Sequence, residues 1–199
     1  MHEVVIFLDM DGVTADFFGG MCKVHGLDRD EAIKRLAPQD FWFTSLIGDI
    51  GPQEFWRAID DHGERFWSDL APLPHARYLY ETLRDMAPVY FLSHPSEQPF
   101  CASGKLHWLG KHFPDAMAGQ HYVLTAHKHF LAGPGRLLVD DGERHCDRFC
   151  QDESGRPTGG AAVLFPQRWN NRHKLFDKGL AVKQTITEVT NWYARQERA

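Results

Sequence analysis

Val5-Ile6-Phe7-Leu8-Asp9-Met10-Asp11-Gly12-Val13-Thr14-Ala15-Asp16-Phe17 is the stretch on which the fold turns. The apolar run Val4 to Leu8 stops abruptly in Asp9 and Asp11, with Gly12 directly behind. A buried strand of this kind delivers two carboxylates to its own C-terminal end. At a spacing of two residues, both side chains are expected on one side of the strand. Like charges this close repel, so the pair calls for a cation or a shared proton. Gly12 lets the chain turn away sharply. The arrangement suits a nucleophilic carboxylate, a second carboxylate for proton transfer, and magnesium between them. Taken alone, the same residues also describe a strand closing in an Asp-Gly turn. The remaining chain decides between the two.

The 199 residues fit one domain, or a core with a modest insertion. A hydrophobic share of 43% is enough for a real core and argues against disorder. The net charge of −5 offers no basic footprint for duplex nucleic acid, although a small anionic substrate stays open. No apolar run is long enough to span a membrane. The first apolar run is short and leads into Asp9, so no secretory signal is expected and the cytoplasm is the expected compartment. Cys22, Cys101, Cys146 and Cys150 follow no framework spacing and are expected as free thiols. His145, Cys146 and Cys150 lack the paired pattern of a zinc site, and most of the 12 histidines are expected at the surface. The sequence leaves monomer and homodimer both open.

Further apolar runs resemble the first. Pro88 to Ser93 ends in a hydroxyl, His121 to Thr125 is closely followed by Lys128, and Arg136 to Asp141 ends in two carboxylates. Ala161 to Phe165 is a fifth, stopped by Pro166. Helical periodicity falls between them, over His75 to Met86, Phe100 to Phe113 and Leu180 to Ala194. Strands alternating with helices imply an α/β fold: a Rossmann-like parallel sheet with helices on both faces. The site of such a sheet lies at the carboxyl ends of its strands. Asp9, Asp11, Ser93, Lys128, Asp140 and Asp141 all fall there.

Residues 13–73 break the alternation. They carry helical stretches at Asp28 to Leu36 and Pro52 to Asp61, and the aromatic cluster Phe41-Trp42-Phe43. The expected organisation is an α/β core over 1–12 and 74–199, with 13–73 as a small helical cap inserted after the first strand. The plainer alternative is a packing appendage with a buried aromatic seam. Residues 151–160 are polar and glycine-rich, a surface loop or hairpin.

The convergent residues have complementary chemistry. A Ser93 hydroxyl and a Lys128 ammonium can neutralise phosphoryl oxygens. Asp140 and Asp141 supply the hard oxygens that magnesium prefers. Asp9 can then attack phosphorus in line, while Asp11 protonates the leaving oxygen and later activates water. Each residue alone has an ordinary explanation: a turn serine, a surface lysine, an Asp-Gly turn.

The order of these motifs resembles the haloacid dehalogenase superfamily of phosphotransferases. Within it, Asp9-Met-Asp-Gly-Val-Thr-Ala-Asp-Phe17 is similar to the 5'(3')-deoxyribonucleotidases. The similarity continues through Ala71 to Ala76, Gly104-Lys105-Leu-His-Trp108, Lys111-His-Phe113, Leu124-Thr125-Ala-His-Lys128, Leu137-Leu-Val-Asp-Asp141 and Asn171-Arg-His173. The resemblance implies Asp9 as nucleophile and Asp11 as acid and base. It implies Mg2+ on Asp9, the Asp11 carbonyl and one of Asp140 and Asp141, with Asp141 favoured. It implies phosphate held by Ser93, Lys105 and Lys128, and a nucleobase seated among Phe17, Phe41, Trp42, Phe43 and Trp67. The implied activity is hydrolysis of (deoxy)ribonucleoside monophosphates through an aspartyl-phosphate.

Several positions depart from that pattern. Ser93-His94-Pro95 stands where Thr-Ser-Pro is common, Ser96 and Glu97 follow, and Ala126 and Gly142 replace residues that are often cationic. These differences bear on substrate choice, with His94 placed where the nucleoside would sit, and leave the catalytic set intact. The competing functions are a phosphatase of another small phosphoester or nucleic-acid end, and a non-catalytic nucleotide-binding regulator on the same fold.

Overall fold

The computed structural model describes residues 3–48 and 50–198, so residues 1, 2, 49 and 199 of the two expected segments lie outside the described residues. Five parallel strands, β1 (Val5–Leu8), β2 (Val89–Ser93), β3 (Tyr122–Leu124), β4 (Arg136–Asp140) and β5 (Ala161–Leu164), form one sheet in the order β3-β2-β1-β4-β5. All four β1 side chains are buried, as a central strand covered on both faces requires. Strand alternation sorts the side chains into two apolar layers. Ile6, Leu8, Phe91, Leu137 and Val139 enter the larger layer, and Val5, Phe7, Leu92 and Leu138 meet Phe149 in the smaller one.

The order reverses between β1 and β4, which opens a crevice at the carboxyl ends of these two strands. Register places Leu8 opposite Val139, and the Asp9 N–H donates to the Val139 carbonyl at 2.9 Å. Asp9 and Asp140 therefore leave the sheet side by side.

Residues 13–73 carry α1 (Phe17–Val24), α2 (Arg29–Arg35), α3 (Thr44–Ile47), α4 (Pro52–Asp60) and α5 (Glu64–Ser68). Asp16 caps α1 by accepting from the Gly19 N–H, and Asp28 caps α2 by accepting from the Glu31 N–H. Next come α6 (Ala76–Arg84), α7 (Pro99–His112), α8 (Pro114–Ala118), a short 3-10 turn at Lys128–Leu131, α9 (Glu143–Cys150), α10 (His173–Asp177) and α11 (Ala181–Gln196). The apolar stripe Ala76, Leu79, Tyr80 and Leu83 buries α6 against the larger layer. Pro99 opens α7, where its missing N–H costs nothing, and Phe113 before Pro114 ends it. Residues 151–160 bend back through a bridge between Gln151 and Pro157.

One close crossing joins the helical segment 13–73 to α7. A Cβ on Gly104 of α7 would lie 2.7 Å from the Glu64 carbonyl oxygen and 2.7 Å from Trp67 Cβ of α5. Only glycine allows that approach, and it fixes the position of the next residue, Lys105. Trp108, one turn on, is fully buried and donates its indole N–H to the Leu70 carbonyl at 2.8 Å.

Candidate active site

Beyond Leu8 the backbone leaves the sheet in a tight turn: the N–H groups of Val13, Thr14 and Ala15 converge on the Met10 carbonyl. Buried Thr14 ties the turn down through its hydroxyl, which lies 3.1 Å from the Asp9 carbonyl oxygen. Gly12 adopts φ +73°, in the left-handed region, and a Cβ there would lie 2.2 Å from Asp141 Oδ2. The turn changes one expectation. β1 ends at Leu8, so strand alternation does not carry through to Asp11. The two carboxylates meet different cations instead of sharing one.

Lys128, fully buried, lies 2.8 Å from Asp9 Oδ1 and 2.6 Å from Asp140 Oδ2. These two carboxylates hold its ammonium charged and push its pKa up against the pull of burial. Lys105, also buried, lies 2.5 Å from Asp11 Oδ2 and donates to Ser93 Oγ at 2.7 Å and the His94 carbonyl at 3.0 Å. Its ammonium sits 4.9 Å above the Trp67 ring centre, a cation–π contact. Burial is the main force raising the Asp11 pKa, with Asp9 adding to it and Lys105 opposing.

Oxygens of Asp9, Asp140 and Asp141 lie within 4.8 Å of one another. Asp140 is engaged by Lys128 and by the Gly142 N–H at 2.8 Å, and Asp141 accepts the Trp169 indole N–H at 2.7 Å. Burial, then the Asp9 charge, raises the Asp140 pKa to about 6. Burial, then the neighbouring Asp140 and Asp9, raise the Asp141 pKa as well. Three carboxylates against one ammonium leave an excess of negative charge. That excess and an all-oxygen donor set fit a divalent hard cation such as Mg2+.

Of the residues singled out from sequence, Asp9, Asp11, Ser93, Lys105, Lys128, Asp140 and Asp141 converge here. The five aromatic candidates divide instead into three groups. Phe17 stacks on buried Trp67, ring centres 5.9 Å apart. Phe43 is buried in a separate cluster, edge-on to Phe18 and Trp169. Phe41 and Trp42, 44% and 56% exposed, pack on each other at 5.5 Å.

The structure adds residues that sequence reasoning passed over. His145 on α9 is half-buried, with its ring 5.8 Å from that of His94. Burial, reinforced by Lys128, pushes its pKa down to about 4. Burial and His145 likewise lower that of His94. Gln167 donates through Nε2 to the Gly12 carbonyl, and His75 Nε2 lies 3.0 Å from the Val13 carbonyl oxygen. Asn170 donates to the Asp141 carbonyl at 3.0 Å. The signal for Gln167 and Asn170 was proximity to the Asn171-Arg-His173 motif, and His75 lies within the Ala71 to Ala76 stretch. The four cysteines are free thiols, three of them buried.

Residues 3–177 match the family of 5' nucleotidase, deoxy (pyrimidine), cytosolic type C proteins. The mitochondrial 5'(3')-deoxyribonucleotidases of Mus musculus and Homo sapiens are each 31% identical over 68% of this chain. The match spans 63% of the mouse protein and 61% of the human one. Two solved structures share the fold at low identity. A HAD family hydrolase from Deinococcus radiodurans, with bound phosphate and sodium, is 16% identical with a TM-score of 0.52, covering 90% of this chain and 89% of its own. A predicted phosphatase from Clostridium acetobutylicum is 12% identical with a TM-score of 0.55, covering 96% of this chain and all of its own. With its five-stranded parallel sheet and its carboxylate turn after β1, the chain belongs to the deoxy, cytosolic type C 5'-nucleotidase family, on the haloacid dehalogenase fold.

Proposed function

We propose that the protein is a magnesium-dependent phosphatase that converts (deoxy)ribonucleoside monophosphates to nucleoside and phosphate. The observation that carries this reading is the Lys128 ammonium bridging Asp9 and Asp140 beside the carboxylate of Asp141. A buried cluster of that charge and composition has little structural purpose without a cation and an anionic substrate.

Asp9, Asp140 and Asp141 would hold the metal with the Asp11 carbonyl. A bound Mg2+ would screen the phosphoryl oxygens from the attacking carboxylate. Asp9 attacks phosphorus, an Asp9–phosphorus bond forms, and the ester bond to the sugar oxygen breaks. Asp11, whose pKa burial raises, gives its proton to that oxygen. As a carboxylate it then takes a proton from water. The water oxygen attacks phosphorus and Asp9 leaves as carboxylate. Ser93, Lys105 and Lys128 neutralise the phosphoryl oxygens through both steps.

Residues 13–73 form the cap in this reading, with Phe17, Phe41, Trp42, Phe43 and Trp67 as candidates for base contact and His94 beside the nucleoside. The carboxylates and lysines come from one chain, so the chemistry needs no partner subunit. The cytoplasm is the proposed compartment, consistent with four free cysteines. Among the described residues no helix is long and apolar enough to cross a membrane. Because the two curated relatives are named as mitochondrial, subcellular fractionation tests the compartment.

A panel of nucleoside 5'- and 3'-monophosphates, sugar phosphates and phosphate-ended oligonucleotides, with and without Mg2+, tests the activity. Turnover confined to the nucleotides supports it. Turnover of the other esters alone points to a different phosphatase, and metal-independent binding without turnover to a regulator.

A further inference from the structure

Asp141 is held at two points from a single segment, residues 165–172. Asn170 Nδ2 donates to its backbone carbonyl at 3.0 Å and to the Phe165 carbonyl at 2.8 Å, and Asn170 Oδ1 accepts the Gln167 and Arg172 N–H groups. The adjacent Trp169 donates its indole N–H to Asp141 Oδ2 at 2.7 Å. The Trp169 ring stacks on Phe18, centres 5.6 Å apart and planes 23° from parallel, and meets Phe43 edge-on at 5.6 Å. Both phenylalanines belong to the helical insertion.

Two further observations suggest that this cluster is more than packing. Phe43 adopts φ +57°, a left-handed backbone that a bulky residue rarely takes, and its ring is buried against Trp169 and Phe18. Trp169 also borders a cavity of about 250 Å³ shared with Ile33, Phe165, Phe176 and Val182. With open space on that flank, close packing alone does not fix the ring. The hydrogen bond to Asp141 and the contacts with Phe18 and Phe43 do.

We infer that Trp169 is a positioning residue for the metal site. Its indole N–H orients the Asp141 carboxylate for a divalent cation, and Phe18 and Phe43 hold the indole in place. The helical insertion thereby becomes part of the support of the metal centre. A carboxylate ligand keeps one oxygen for the cation when the other accepts a fixed hydrogen bond, and losing such a partner weakens metal affinity by about 10–100-fold. This inference rests on the proposal that Asp9, Asp140 and Asp141 hold the metal.

The test is calorimetric titration of the full chain with Mg2+ and with Mn2+, alongside the melting temperature of the metal-free protein. Trp169→Phe keeps the aromatic stack and removes the N–H. Its metal affinity should fall by about 10–100-fold, with kcat largely recovered at saturating metal. Phe43→Leu keeps the N–H and loosens the ring, and should weaken metal binding in the same direction by a smaller factor. It also decides the matter if Trp169→Phe fails to fold. Wild-type affinity in Trp169→Phe, or in a folded Phe43→Leu standing in for it, overturns the inference while leaving the metal site intact. A wild-type chain that binds neither cation overturns the metal site itself.

Discussion

Lys105 Nζ and Asp11 Oδ2 face each other at 2.5 Å across α7 and the turn after β1, with Ser93 completing the contact. The pairing sets the proton affinity of Asp11: burial raises it and the Lys105 charge restrains it. Removing the charge releases the restraint, so the Asp11 pKa should rise further in Lys105→Met. The carboxylate form that activates water then becomes scarcer at neutral pH. The acid limb of the kcat profile should move to higher pH, with activity partly recovered on the alkaline side. An acid limb left in place would separate Lys105 from Asp11 in function.

Asp9 should be indispensable. Asp9→Asn keeps the shape but removes the nucleophilic charge, and turnover should fall by about 10³ or more. Excess chelator should also abolish wild-type turnover, and Mg2+ should restore it. Asp11→Asn should lose roughly 10²–10⁴-fold on a nucleoside monophosphate. It should lose less on an activated aryl phosphate, whose leaving group needs no proton. Equal losses on the two substrates would remove the acid role from Asp11.

The sheet was legible because each strand is a short apolar run ending at a chemically distinctive residue, and periodicity marked the long helices. Short elements such as α3, α5 and the turn carrying Lys128 leave too few residues for a periodic signal. Within the site, Asp9, Asp140 and Asp141 were readable as strand-end carboxylates. The division of Asp9 and Asp11 between two lysines was not, because a turn starting one residue after Leu8 overrides strand alternation. Trp169 lay outside any pattern local to the sequence, and His145 entered only with Cys146 and Cys150, in a zinc pattern that they do not complete. The roles of Trp169 and His145 arise from which helices and loops the topology brings to the carboxyl end of β4.

The raised carboxyl pKa values carry a stability consequence. A group whose native pKa exceeds its unfolded value contributes stability below the unfolded pKa and loses it as pH rises through the native one. For Asp140 that window runs from 3.8 to about 6, and the raised pKa of Asp141 acts in the same direction. A divalent cation competes with these protons, so it should stabilise little at low pH and more at neutral pH. The Mg2+-dependent increase in Tm should therefore grow between pH 5 and pH 7.5. Comparing Tm with and without metal at each pH removes the opposing contribution of His75, His94 and His145, whose depressed pKa values favour the native state at higher pH. A Tm increment independent of pH would place the cation away from these carboxylates.

Trp42 and Trp67 should respond in opposite ways to truncation. Trp67 is 2% exposed, stacked on Phe17 and lying under the Lys105 ammonium. Trp67→Ala should cost about 3–5 kcal/mol of stability through the cavity it leaves. It should also lower activity on nucleotide and small aryl phosphate alike, because Lys105 loses its aromatic floor. Trp42 is 56% exposed and packs on Phe41, so its loss leaves no sealed cavity. If its free face stacks on the nucleobase, that contact is worth about 1–3 kcal/mol. At about 1.4 kcal/mol per decade, Trp42→Ala should then lower kcat/KM for a nucleoside monophosphate by roughly tenfold or more. A small aryl phosphate that cannot reach the ring should be hydrolysed at the wild-type rate, and Tm should stay nearly constant. Unchanged kcat/KM on the nucleotide would remove Trp42 from the base site. Recognition would then fall to Phe17 and the His94–His145 pair, and Phe17→Ala measured on the same two substrates would test that assignment.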